Sequence, residues 1–238
     1  MTSDNIMMNH SDIELVLENI YMVTGSNLTT FEGVRLQHSR NMIILKEGNE
    51  LTLINSVRLS EAGLNALDQL GHVKQILRIG SFHGRDDAFY KDRYPEALLW
   101  ALTAMTDEHH AKIDGYLDKT DQLPVANMQV IPFIHSNFPE ACLYLNTNGG
   151  VLISCDSIKN WIDQDPYFSD ETAKLYRSQN FFAKASISDI WIQATGVKRQ
   201  DFEPILALDF KHLLSAHGAV LLNDAKVCLI ESLAKIRC

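Results

Sequence analysis

Apolar residues recur along this chain in short runs separated by polar turns, a pattern that predicts alternating strands and helices. Ile13–Thr24, Asn41–Leu45 and Leu51–Asn55 read as strands. The last two are joined across Lys46–Glu50, where Gly48-Asn49 is a hairpin signal. Ser60–Gly71 opens on a serine suited to capping, sets Leu64, Leu67 and Leu70 on one face and stops at a glycine, so it predicts a helix. Val73–Ile79 predicts a strand, Asp86–Arg93 a short helix and Ala97–Leu102 another strand. Thr106–Pro124 is polar and carries no clear period.

The second half repeats the alternation. Met128–Ile134, Ala141–Leu145 and Val151–Ser154 predict strands, with Asn146–Gly150 turning between the last two. Ser169–Gln179 predicts a helix, Phe210–Ser215 a strand and Val220–Ile236 a closing amphipathic helix. Two groups of strands, each followed by helices, define a mixed α/β (α+β) chain. No Pro/Gly/Ser-rich linker or repeat divides it, so a loose N-terminus over residues 1–12 is expected to precede one domain over 13–238.

Composition narrows the function classes. At 238 residues with 46% hydrophobic and 21% charged positions, the chain can bury a substantial core. A net charge of −9 argues against a nucleic-acid partner, and Lys198-Arg199 is the only adjacent basic pair. No stretch approaches the ~20 continuous apolar residues of a membrane helix. The N-terminus lacks a basic segment followed by an apolar one, so no signal peptide is expected. Cys142, Cys155, Cys228 and Cys238 form no Cys-x-x-Cys pair, which fits reduced thiols in a cytoplasmic protein. Strand alternation would turn Cys155 away from its neighbour Asp156.

Four polar islands follow apolar runs: Ser81–Asp87 after Val73–Ile79, His135 after Ile131–Ile134, Asp156 after Gly149–Cys155, and His217-Gly218 after Phe210–Ala216. Imidazoles and carboxylates at strand ends, distant in sequence, are what a sheet edge uses to gather metal ligands. Each has a structural alternative. His83 could shape a turn, and His135 could be a satisfied half-buried histidine. Asp156 could cap a helix starting at Ser157, a role compatible with metal binding. Asp86 and Asp87 suit the first turn of a helix, and Arg85 is expected to pair with them rather than with a substrate anion. Among the other histidines, His109-His110 reads as a solvated helix, His10 as part of the loose terminus, and His38, His72 and His212 as lacking partners at ligand spacing. Trp161, Tyr167, Phe168, Tyr176, Phe181 and Phe182 form an aromatic segment that reads first as packing. Neither a Gly-x-Gly-x-x-Gly loop nor a Gly-x-Ser-x-Gly elbow occurs.

The order of these islands, from Ser-x-His-x-Arg-Asp at 81–86 to the late Ala-His-Gly at 216–218, resembles the metallo-β-lactamase superfamily over about residues 13–235. The resemblance implies a four-layer αββα sandwich of two mixed β-sheets flanked by helices. It implies metal ligands at His83, Asp86, His135, Asp156 and His217, with Asp86 and Asp156 as catalytic carboxylates. It also implies substrate contacts from Arg85, Trp161 and Tyr167, although Trp161 and Tyr167 read first as packing. Ser81 and Arg85 stand where that family has a histidine and an aspartate, and Cys155 replaces a glycine. One divalent transition metal is therefore expected instead of two, zinc ahead of iron or manganese, or none if the fold is vestigial. The reading is a metal-dependent hydrolase of a small molecule, the alternative a non-catalytic ligand- or protein-binding module. Neither nucleic acid nor membrane is an expected partner, and a homodimer is the assembly left open.

Overall fold

The computed structural model describes residues 8–31, 33–106 and 111–236. Seven strands form one mixed sheet in chain order: β1 (Glu14–Leu17), β2 (Ile20–Phe31), β3 (Val34–Glu47), β4 (Glu50–Ile54), β5 (His72–Leu77), β6 (Leu98–Ala101) and β7 (Gly115–Tyr116). The first four pair antiparallel, and β4 through β7 pair parallel. Parallel neighbours need crossovers, which α1 (Glu61–Leu70) and α2 (Asp87–Arg93) supply. The second sheet contains β8 (Met128–Pro132), β9 (Ala141–Leu145), β10 (Val151–Ser154) and β11 (His212–Ser215), in the order β11-β10-β9-β8. Only β10 and β11 are parallel there.

Strand alternation builds the layers. Leu143, Leu145, Val151, Ile153 and Leu214 face inward and join Ile43, Leu45, Leu53 and Ile76 in the main core. Their neighbours Cys142, Tyr144, Leu152 and Leu213 face outward and pack beneath α4 (Asp189–Thr195), α5 (Glu203–Leu206) and α6 (Ala225–Leu233). The result is two mixed sheets flanked by helices, as the resemblance implied. A further helix, α3 (Asp170–Ser178), is capped by Ser169 and packs an aromatic cluster against Leu36 of β3. No helix among the described residues is long and apolar enough to cross a membrane.

Several boundaries depart from the sequence pattern for physical reasons. The apolar stretch 13–24 is two strands, because Asn19 adopts φ 61° and turns the chain. Asn9, Ser11 and His10 bond to β2 and to Ser60, so the loose terminus does not extend to them. β3 begins seven residues before the apolar run that announced it, since His38, Ser39, Arg40 and Asn41 are buried with polar partners. No helix follows Asp156; the Ser157 N–H donates instead to Glu140 Oε1 at 2.6 Å. The closing helix occupies only 225–233, because Leu221 pairs with Leu213. His109, His110 and Cys238 lie outside the described residues.

Candidate metal centre

Three chain segments converge beyond the ends of β5, β10 and β11. After β5, Gly80 pairs with Glu140 across the gap between the sheets and leads into a 3-10 turn, Ser81–His83. Ser81 fixes this turn by donating its N–H and hydroxyl to the Pro139 carbonyl, at 3.0 and 2.8 Å. After β10, Asp156 sits on an irregular segment held by the Ser154 hydroxyl, which donates to Ile158 O at 2.6 Å. After β11, His217 is followed by Gly218, which has φ +93° and where a Cβ would lie 2.2 Å from the Asn160 backbone, so the position admits no side chain. Asn41 clamps that last segment, with Nδ2 donating to Ser215 O at 2.8 Å and to Gly218 O at 2.6 Å.

These supports aim two imidazoles at one carboxylate. His217 Nε2 lies 3.0 Å from Asp156 Oδ1, and His83 Nε2 lies 3.4 Å from Asp156 Oδ2. His83 and His217 are 4% and 3% exposed. His217 Nδ1 donates to the Ser39 carbonyl at 3.0 Å, which fixes the ring. Burial lowers the His217 pKa, against the opposing pull of Asp156. Burial would raise the Asp156 carboxyl, yet the two imidazoles hold it well below the usual carboxylate range.

This arrangement fits a bound cation. A neutral imidazole carries one N–H, and that of His217 goes to Ser39, so Nε2 turns a lone pair toward an ionised carboxylate. A shared cation resolves that conflict. Asp156 Oδ2 points the same way, being buried without a hydrogen bond among the described residues. The Cys155 thiol joins the group: one ligand atom each from His83, Cys155 and Asp156 lie within 4.8 Å of one another. Cys155 keeps the inward face that alternation gives it, in the main core with Val151 and Ile153, and Asp156, beyond the end of β10, nevertheless comes within 4.8 Å of its thiol.

Two expected ligands are engaged elsewhere. Asp86 is buried against Arg40, which donates to Oδ2; the Arg58 N–H donates to the same oxygen at 3.0 Å, and Arg58 Nε lies 3.4 Å from Oδ1. Both carboxylate oxygens are therefore occupied, and the expected metal and catalytic roles of Asp86 are corrected to an ion pair. His135 places Nδ1 2.7 Å from Asp201 Oδ1, and Gln200 Nε2 donates to its Nε2 at 2.8 Å. Both ring nitrogens are thus satisfied away from Asp156, which corrects the ligand expectation there too. Arg85 donates to Asn27 Oδ1 at 3.0 Å, while Asp87 pairs with Arg78 at 3.5 Å.

Trp161 is a wall and not a mouth: it is buried, donates to Ser39 Oγ at 2.8 Å and packs 4.8 Å from the His217 ring. Tyr167 is half-buried, and its carbonyl accepts from Ser26 Oγ at 3.1 Å. The sequence reading missed His38, whose ring lies 5.4 Å from that of His217 and among Trp161, Phe168 and Tyr176. Burial, with His217 next to it, lowers the His38 pKa to about 3. Glu140 was also missed: burial and the nearby Asp156 charge push its carboxyl up to about 8.

No protein-family profile matches this chain, and no curated protein does. Solved structures do match its fold. DIM-1 metallo-β-lactamase, in crystals exposed to ceftazidime, superposes with a TM-score of 0.60 at 11% identity, covering 95% of this chain and 96% of that one. The mono-zinc form of FIM-1 from Pseudomonas aeruginosa gives 0.57 at 10% identity, covering 98% and 97%. A metallo-β-lactamase from Hirschia baltica gives 0.59 at 9%, covering 96% and 100%. The chain therefore has the metallo-β-lactamase fold along nearly its whole length.

Proposed function

We propose that this protein is a metal-dependent hydrolase of a small molecule, with one divalent transition ion held by His83, Asp156 and His217. The observation that carries the reading is the convergence of two imidazole Nε2 atoms on one buried carboxylate. A single ion follows from the engagement of Asp86 with two arginines and of His135 with Asp201, since too few groups remain for a second. The FIM-1 structure, determined with one zinc, supports the view that this fold accommodates such a state. Zinc leads iron and manganese because imidazole suits it.

An ion there supplies Lewis acidity and lowers the pKa of water toward ~7. The chain's own groups do the rest. Asp156 Oδ2, which has no hydrogen bond among the described residues and lies 3.4 Å from His83 Nε2, is the oxygen that would accept a proton from the attacking water. Ser39 O keeps His217 in one tautomer, and Trp161 excludes water from behind the ring. Arg85, held by Asn27, offers its guanidinium to an anionic group of the substrate. The free thiols Cys142, Cys155 and Cys228 fit a reducing cytoplasm.

One observation favours a non-catalytic binding module: Ser81, at a position where the related pattern has a ligand, has a structural use on the Pro139 carbonyl. Assaying the zinc-loaded parent and Asp156→Asn against esters, thioesters, lactams and phosphodiesters separates the two. Hydrolysis of one class, lost in the variant, supports the enzyme. A zinc-loaded parent inert toward all four classes supports the module.

A further inference from the structure

Resting on the metal reading above, we infer that His38 is a positioning residue, which sets the His217 ring for the metal and, through Asn27, the Arg85 guanidinium for the substrate. The Ser39 carbonyl accepts from two imidazoles, from His217 Nδ1 at 3.0 Å and from His38 Nδ1 at 3.1 Å. A carbonyl oxygen cannot donate, so each ring carries a proton on Nδ1.

The other end of the chain of bonds is fixed as firmly. Strand register places Asn27 of β2 opposite His38 of β3. A guanidinium can only donate, so Arg85 Nη1, 3.0 Å from Asn27 Oδ1, decides which way that amide points. Asn27 Nδ2 then donates to His38 Nε2 at 3.3 Å. His38 spans the gap because a neutral imidazole accepts at one nitrogen and donates at the other. From Arg85 to the Ser39 carbonyl, every proton has one place.

Packing holds the same ring. His38 is buried, with its centroid 5.4 Å from those of His217 and Trp161, edge-on to each, and 5.9 Å from that of Tyr176. Phenylalanine would fill these aromatic surroundings with no polar group to satisfy, so packing alone gives no reason for an imidazole here. The hydrogen bonds give one. With His38 on one lone pair of the Ser39 carbonyl, His217 takes the other, and its Nε2 keeps its aim at Asp156.

The test is long-range proton–nitrogen NMR on the histidine-labelled, metal-free parent, with zinc affinity read by chelator competition. His38 and His217 should both appear as Nδ1–H tautomers with unprotonated Nε2. Asn27→Asp exchanges the amide donor for an acceptor and should move a proton onto His38 Nε2, a spectral change that a merely packed ring would not show. His38→Phe should weaken zinc binding ~10–100-fold, and His38→Asn, whose amide can donate from the place of Nδ1, should recover most of that loss. Nε2–H on either ring of the parent overturns the inference, while zinc uptake by the same protein keeps the metal reading. Parent-like zinc affinity in His38→Phe, or an unchanged His38 spectrum in Asn27→Asp, has the same force. The tautomer measurement uses the parent alone and stands if a variant fails to fold. No zinc uptake by the folded parent overturns both readings.

Discussion

His217 and Asp156 face each other 3.0 Å apart from the ends of two parallel strands, β11 and β10, although 61 positions separate them in the chain. Their meeting depends on the sheet: Ser154 pairs with Ser215, so each strand delivers its next polar residue to the same edge. Removing either group should abolish the convergence. His217→Ala and Asp156→Asn are each expected to weaken zinc binding by more than ~100-fold, beyond the 10–100-fold typical of losing a supporting partner. His135→Ala should leave zinc binding unchanged. Competition with a fluorescent chelator reads all three.

Asn41 should behave as a positioning residue. It donates to the carbonyls of Ser215 and Gly218 on either side of His217. Asn41→Ala strands both buried acceptors, at about 1–3 kcal/mol each. It should also loosen the His217 loop and weaken zinc binding by ~10–100-fold. Urea unfolding and chelator competition together check this, and a stability loss without an affinity loss would confine Asn41 to the scaffold.

Asp86 should matter for stability alone. Asp86→Asn leaves Arg40 buried without its anion, a break that typically costs about 3–5 kcal/mol. Zinc affinity of the folded fraction should stay at the parent's value. A fall in affinity that exceeds the loss of folded protein would return Asp86 to the metal site.

The pH dependence of the metal-free protein carries two opposed limbs. His38 has a folded pKa of about 3 against 6.5, so between those values the unfolded chain binds the extra proton and stability rises with pH. Asp156, held low, reinforces that limb below 3.8. Glu140 is raised from 4.5 to about 8, so over that range the folded chain holds the extra proton and stability falls with rising pH. Melting temperature should therefore peak between pH 4.5 and 6.5. Calorimetry across pH 3–8 should show His38→Phe flattening the acid limb and Glu140→Gln the alkaline one; a monotonic parent profile would contradict both assignments.

Local chemistry made part of the fold legible before any coordinates. β9 and β10 have the bounds that their apolar runs predicted, and α1 and α3 fall within a residue, because caps and period act over a few positions. Ser188 and Gly196 frame α4 with the same start and stop signals, though the sequence reading assigned no helix there. β3 was truncated because its polar residues 38–41 satisfy themselves far away, His217 reaching Ser39 O across 178 positions. The site was legible in part for the same reason. Residue type flagged His83, Asp156 and His217, but the partners that withdraw Asp86 and His135 lie 46 and 66 positions distant. Cys155 follows the alternation of β10 into the main core, whereas Asp156 lies past the end of the strand, where alternation no longer says how near the two side chains come.

The central claim is that His83, Asp156 and His217 hold a metal ion, and calorimetric titration of zinc into chelator-stripped protein tests it most directly. The account predicts saturation at about one zinc ion per chain, with proton release as ligands are deprotonated, and no measurable binding by a folded His83→Ala/His217→Ala double variant. Two tightly bound ions in the parent, or equal binding by parent and double variant, would contradict it.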